Sequence, residues 1–213
     1  NVLAGANTMS LTFDDGNGRT MKTSFPNVYG YYIGGNTFSL ISETETSFLA
    51  TTTDFIFGKQ SITAPSSNEL IEDSLSLYNF SKYKGYLFKA PFKLLYNRKV
   101  GNNFYWGVSV GAVLEAPLLM GRITNGSQTE DLSSVSDQYL SGFGWTTGLE
   151  IGFRSAFVTL EYMKGISNMS KADDGTEIRN DGSLSLSVGI RFNTKQGKKD
   201  AKAINSLKDK FTN

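Results

Sequence analysis

Seven charged residues share one parity of the alternating segments of the chain, opposite runs of large apolar side chains. Because the set contains both signs, it could supply carboxylates for acid–base chemistry, a path for ions or protons, or internal ion pairs. An unpaired charge in an enclosed interior is costly. The sequence therefore predicts that these residues meet as ion pairs inside a closed sheet: Asp54, Lys89, Lys93, Glu115, Glu150, Glu161 and Arg191.

The strands that must carry these charges are clearest at 143–163, which reads FGWTTGLEIGFRSAFVTLEYM. Large apolar residues alternate there with small or charged ones, a period of two that indicates strands, and Arg154-Ser155 predicts the turn of a hairpin. A soluble sandwich or lipocalin-like barrel would keep its bulky residues inside. Bulky residues outside and small or charged residues inside, over about 9–11 residues, are typical of a transmembrane β-barrel.

The same alternation recurs along the chain and predicts eight strands whose connections are alternately long and short. Transmembrane barrels have short periplasmic turns and longer extracellular loops, and an even strand number leaves both termini in the periplasm. We therefore expect an eight-stranded antiparallel up-and-down barrel over 1–192 in the outer membrane, followed by a periplasmic tail over 193–213. The predicted strands lie at about 1–11, 28–40, 46–59, 85–97, 103–118, 143–153, 156–163 and 182–192.

Aromatic residues of the outward parity collect next to the short turns. Such residues sit at the level of the lipid headgroups, where one end of the ring is apolar and the other is wet. We expect them to form the periplasmic aromatic girdle of the barrel: Tyr96, Phe104, Trp106, Phe153 and Phe192.

The composition excludes several classes of function. The 213 residues have a net charge of +1 and contain no Cys and no His, so there is no disulfide, no thiol nucleophile and no Ser/His/acid arrangement. No segment reaches the ~18 consecutive apolar residues of a transmembrane helix. We expect no enzyme activity, no cofactor, no metal site and no nucleic-acid partner. Because the chain opens directly on strand-like residues, we expect a mature chain whose export signal has been removed.

Four segments carry a resemblance to a known family: 86–118, 148–169, 185–192 and, more weakly, 1–11. In these segments the chain resembles the small outer-membrane β-barrel family common in Bacteroidota, often called PorT-like. The resemblance implies a barrel architecture and a role as an accessory part of an envelope machine, without implying an activity. The chain departs from the usual pattern of outer-membrane barrels because it continues past the last aromatic residue, Phe192.

The charged set leaves alternatives to a salt-bridged plug. It could form an ion or proton path, but a barrel of eight strands has room for little more than its own side chains, which favours the plug. Glu115, Glu150 and Glu161 could supply a carboxylate pair for hydrolysis, although they lie among lysines. The Asp/Gly clusters at 14–18 and 173–175 could bind calcium, but neither has the spacing of a calcium loop, and solvated turns are favoured.

The tail at 193–213 switches to helical spacing, with Ile204, Leu207 and Phe211 on one face and an excess of lysine. It could be a disordered terminus, dock on the membrane surface, or bind a protein partner, which we favour. The expected function is a non-enzymatic structural or accessory subunit of a larger envelope complex for protein secretion or outer-membrane protein assembly. Its expected partners are outer-membrane lipid, lipopolysaccharide and other envelope proteins. A free-standing adhesin or receptor with binding loops is the alternative, and a soluble ligand-carrying barrel is a third hypothesis.

Overall fold

The computed structural model describes residues 1–14, 20–23, 28–63, 82–101, 103–125, 128–132, 142–167 and 177–192, and most of them lie in β-strands. In this part of the chain no helix is long and apolar enough to cross a membrane. The strands are β1 (Val2–Asp14), β2 (Thr20–Thr23), β3 (Val28–Glu43), β4 (Ser47–Thr63), β5 (Lys82–Val100), β6 (Phe104–Asn125), β7 (Gln128–Leu132), β8 (Gly142–Phe153), β9 (Ala156–Gly165) and β10 (Glu177–Ile190).

Eight of these strands form a closed antiparallel barrel. The sheet order is β10-β9-β8-β6-β5-β4-β3-β1, and a further pairing between β1 and β10 closes it. That seam runs from Val2 opposite Ile190 to Asp14 opposite Glu177, with one register shift after Ser10. Closure leaves the barrel itself without an edge strand. The predicted eight-stranded up-and-down fold is therefore confirmed.

Three short connections lie together at one end of the barrel, which we call the short-turn end: 44–46, 101–103 and 154–155. Gly101 has φ +68° and Arg154 has φ +55°, the left-handed backbone that tight turns require. The backbone N–H of Arg154 donates to the carbonyl of Asn103 at 2.6 Å, so neighbouring turns support each other. The predicted alternation of short and long connections is confirmed.

Several strands are longer than the sequence pattern predicted, and two short strands were missed. The prediction placed loops directly after residue 11 and around 121–138. Instead, β1 continues to Asp14 and pairs with β2, and β6 continues to Asn125 and pairs with β7. These extensions continue the strand pairing beyond the segments in which large apolar residues alternate, so the apolar pattern gave no signal for them.

The hairpin of β8 and β9 shows how the sequence pattern sets the direction of side chains. Every second residue from Gly142 to Gly152 is buried and the residues between them are exposed, and β9 continues the same alternation. The exposed residues are the large apolar ones, including Leu149, Ile151 and Val158. The predicted orientation, with bulky residues outside and small or charged residues inside, is thus the observed one.

Candidate functional site

Glycines on the inward face lie where neighbouring residues leave no room for a side chain. A methyl group at Gly111 would overlap the backbone carbonyl of Phe92, directly beside Lys93. A methyl group at Gly152 would overlap the ring of Tyr105. Glycine is therefore required at these inward positions, because backbone atoms or a neighbouring ring occupy the space that a side chain would need.

The first of three groups of charges, the Lys93 triad, lies at mid-height in the interior. Lys93 Nζ contacts Asp54 Oδ2 at 2.6 Å and Glu161 Oε2 at 2.7 Å. The hydroxyl of Thr146 donates to the other oxygen of Glu161 at 2.8 Å. All three charged side chains are at most 9% exposed. One ammonium group thus bridges two carboxylates from β4 and β9, on opposite sides of the interior.

The second group, the Arg191 group, lies near the short-turn end. Arg191 contacts Glu150 Oε1 at 2.5 Å with one terminal nitrogen and donates to the hydroxyl of Tyr105 at 2.6 Å with the other. Its guanidinium carbon lies 4.8 Å from the ring centre of Phe157 and 5.1 Å from that of Phe38. Arginine is suited to this site because its planar group can bond in two directions while its faces stack on aromatic rings. These contacts cross the interior of the barrel near its short-turn end.

The third group, the Lys89 group, lies towards the opposite end, four residues before Lys93 on the same strand. Lys89 Nζ contacts Glu115 Oε1 at 3.0 Å, directly across the β5–β6 pairing. The side-chain amide of Asn180 donates to the other oxygen of Glu115 at 3.0 Å. Ser183 Oγ lies 3.4 Å from the lysine nitrogen. Strands β5, β6 and β10 are thus joined through the interior.

The structure brings all seven predicted charges into the interior, but it separates the three glutamates that could have formed a catalytic pair. Glu115 lies in the Lys89 group, Glu150 in the Arg191 group and Glu161 in the Lys93 triad, each against a cation. Their side chains are at most 10% exposed, so no described opening presents two of them to a substrate. The arrangement can hold strands together, and it does not bring any two of these three glutamates to one site.

Aromatic residues ring the outside of the barrel at two levels. The five predicted girdle residues all point outward, between 39% and 58% exposed, close to the short turns. The sequence argument overlooked a second group near the long connections. The outward parity of the strands also identifies this second group at the ends near the long connections. It consists of three pairs of neighbouring rings: Trp145 with Tyr162, Phe57 with Tyr86, and Tyr29 with Tyr31.

Other predicted features lie wholly or largely outside the described residues. These are the Asp/Gly cluster at 173–175, most of the cluster at 14–18, and the tail with Ile204, Leu207 and Phe211. Within the described ranges, no group of three or more His, Cys, Asp or Glu residues is placed to hold a metal ion.

Comparisons with known proteins find likeness in structure only. No protein-family model matches the sequence, and no curated protein matches it. Among solved structures, the chain is similar to Ail, the attachment invasion locus protein of Yersinia pestis, in complex with the heparin analogue sucrose octasulfate. The identity is 11%, the match covers 90% of this chain and 99% of that chain, and the TM-score is 0.32. It is similar to Neisserial surface protein A with 10% identity, coverage of 90% and 97%, and a TM-score of 0.41. It is also similar to an outer membrane channel from Pseudomonas putida F1 with 10% identity, coverage of 88% and 94%, and a TM-score of 0.27.

Proposed function

We propose that this chain is a non-enzymatic integral outer-membrane β-barrel with a sealed interior, acting as a structural or accessory subunit of a larger cell-envelope complex. The observation that carries the proposal is the inverted distribution of side chains. Large apolar residues cover the outside of a closed barrel, whereas ion pairs fill the inside. In water this arrangement would expose an apolar surface around the whole circumference, but in lipid it is the favourable one.

The two aromatic levels support the membrane assignment. Trp106 lies near the short-turn end and Trp145 near the long connections, and both point outward. Trp106 pairs with Ile151 on β8, six residues along that strand from Trp145. At ~3.3 Å per residue and a strand tilt of ~40°, this separates the two indoles by about 15 Å along the barrel axis, so both can lie within an apolar band about 25 Å tall.

Brominated lipids test this assignment directly, because bromine quenches only nearby tryptophan fluorescence. The chain has two tryptophans, so Trp106→Phe and Trp145→Phe each leave a single reporter. In vesicles, both reporters should be quenched by bromine placed along the lipid chains. If neither reporter is quenched, the soluble ligand-carrying barrel would be favoured instead.

The filled interior supports a role in contacts rather than in transport. The Arg191 group, the Lys93 triad and the Lys89 group occupy the interior at three successive heights. We expect the purified protein to give no steady unitary current in planar bilayers. A steady current that disappears when the interior charges are neutralised would contradict the sealed barrel and favour the ion path.

The orientation in the membrane follows from the short turns, which we place in the periplasm. Because the chain contains no cysteine, single cysteines can report it without a background. A membrane-impermeant maleimide added to intact cells should label Ser74→Cys, in the long connection at 64–81, and should leave Glu45→Cys at a short turn unlabelled. Labelling of the second variant but not the first would reverse the orientation.

The accessory role rests on the resemblance to the PorT-like family and on the basic tail at 193–213. The experiment is mild detergent extraction of the full chain and of a chain truncated after Phe192, followed by identification of stoichiometric partners. Both barrels should insert and resist heat, and the truncated one should lose its partner. If the truncated chain retains the same partners in the same ratio, the contact lies on the barrel wall or on the long connections.

One observation favours a binding role of the long connections as a second candidate. The β6–β7 hairpin continues the sheet beyond the alternating part of the barrel, with Gly121 to Asn125 paired to Gln128 to Leu132. A projecting hairpin of this kind can present side chains to an external surface. Deleting 121–132 should abolish cell attachment if the chain is an adhesin, and should leave partner recovery unchanged if it is an accessory subunit.

A further inference from the structure

A small cavity lies in the interior where β1, β3, β4, β5 and β10 come together. Its volume of about 10 Å³ is at the lower limit for holding one water molecule. Its lining includes the polar side chains of Asn7, Gln60, Lys89 and Ser185 and the ring and hydroxyl of Tyr32. The other lining residues are Ile56, Gly58, Lys59, Leu87 and Met163.

The strand register explains why polar groups converge at this point. Ser185 on β10 pairs with Asn7 on β1, Asn7 pairs with Gly30 on β3, and Gly30 pairs with Gln60 on β4. The glycine keeps this row open, because a methyl group there would lie 2.6 Å from Asn7 Oδ1. Ser185, Asn7 and Gln60 therefore lie in one row of paired residues across the sheet, which brings their side chains to the same cavity.

Three polar atoms at the cavity lack a well-formed hydrogen bond among the described residues. Asn7 Nδ2, Gln60 Nε2 and Ser185 Oγ are all inaccessible to bulk solvent and make no hydrogen bond of normal geometry there, although the hydroxyl of Tyr32 interacts with Ser185. Gln60 is only 7% exposed and Ser185 only 5%. Buried polar atoms of this kind are nearly always satisfied by protein or by ordered water. Two amide N–H donors and one hydroxyl call for a ligand of water size that can accept hydrogen bonds.

We propose that this cavity is a binding site for one ordered water molecule, which accepts hydrogen bonds from Asn7 and Gln60 and shares a third with Ser185. Water fits the electrostatics better than a halide ion does. Of the two lysines in the lining, Lys89 is already balanced by Glu115 at 3.0 Å, and Lys59 is an exposed residue on the outward parity of its strand, so a bound anion would add an unpaired charge to the interior. The bound water links β10, β1 and β4 across the closing seam of the barrel.

The test is the nuclear Overhauser effect between water and the side-chain amides of the full chain in detergent micelles. The amides of Asn7 and Gln60 should both show cross-peaks to water with the sign of a long-lived contact. Gln60→Met, which is close in volume and lacks the donor, should remove the cross-peak at Asn7. The matched control is Thr52→Val, a buried polar residue on the same strand outside the cavity, which should leave it unchanged.

Three results would overturn the site. Absence of cross-peaks in the unmodified chain would mean that the cavity holds no water. This result needs no variant, so it does not depend on whether a variant folds. Loss of the Gln60 cross-peak in Ser185→Ala while the Asn7 cross-peak remains would assign the Gln60 signal to an exchanging hydroxyl. Loss of both cross-peaks when chloride is replaced by sulfate would assign the site to an anion.

Discussion

Lys93→Met removes the one cation that two buried carboxylates share, and we expect it to destabilise the barrel strongly. The oxygens of Asp54 and Glu161 contact the same nitrogen at 2.6 and 2.7 Å, so they lie no more than about 5 Å apart. At that distance and an effective dielectric constant of about 20, two carboxylates repel each other by about 3 kcal/mol. Breaking a buried ion pair by removing one partner costs about 3–5 kcal/mol. We expect a loss within that range.

The assay is urea unfolding in detergent micelles, followed by tryptophan fluorescence. The matched control is Lys99→Met, a lysine on the same strand whose ammonium contacts Glu43 at 2.8 Å and the backbone carbonyl of Thr44 at 2.9 Å, but whose ion pair is partly exposed, at 27% and 28%. Exposed pairs contribute about 0.2–1 kcal/mol. The two variants remove the same chemical group, so the difference between them measures the effect of burial.

A repair experiment separates charge imbalance from lost packing. Adding Asp54→Asn and Glu161→Gln to Lys93→Met removes the repulsion while keeping the volumes close to the original, and we expect most of the lost stability to return. The reasoning would be refuted if Lys93→Met cost no more than Lys99→Met. It would also be refuted if the triple variant were no more stable than Lys93→Met alone.

Three further predictions follow from the contacts described. Arg191→Lys keeps the charge but loses the hydrogen bonding in two directions and the ring stacking. Unfolding in urea should therefore show a decrease of about 2 kcal/mol in the free energy of unfolding. An unchanged free energy of unfolding would contradict a stabilising role of the Arg191 group. Gly111→Ala should cost about 1–3 kcal/mol because its methyl group would overlap backbone, whereas Gly35→Ala meets its nearest atom at 3.4 Å and should be close to neutral in the same assay. Asp181 lies beyond the outward apolar residues of β10, and a hydrogen bond from Thr12 holds the pKa of this carboxyl below its usual value. Its contribution to stability should therefore be fully present above the ordinary carboxyl pKa of about 4 and should decrease as the pH falls through the lower folded value, so the loss of stability in Asp181→Asn should be larger at pH 7 than in acid.

The sequence predicted which side chains face inward, because parity along a strand is fixed by a period of two. It could not predict which charges meet. The contact of Lys89 with Glu115 is directly across one hairpin, whereas Lys93 reaches Glu161 across the interior. The second contact depends on barrel width and on the stagger of non-neighbouring strands, which no local pattern contains.

The strand ends were predicted less well, for a different reason. Apolar alternation stops where a strand leaves the apolar band, although its hydrogen bonding continues. A local signal for β7 was nevertheless present: Asn125-Gly126 is a typical hairpin turn, and β6 ends at Asn125 while β7 begins at Gln128. The predicted strand nevertheless ended at about residue 118, so the extension was missed.

The seam between β1 and β10 has a consequence for biogenesis. Its strands are the first and the last of the barrel, and pairs such as Val2 with Ile190 join opposite ends of the described chain. Until β10 arrives, the sheet has two open edges whose N–H and C=O groups have no partners, which lipid cannot satisfy. Contacts between such distant segments also form slowly. A chain stalled before β10 would therefore be a substrate for chaperones and proteases, and the last strand is the step that commits the protein to the membrane.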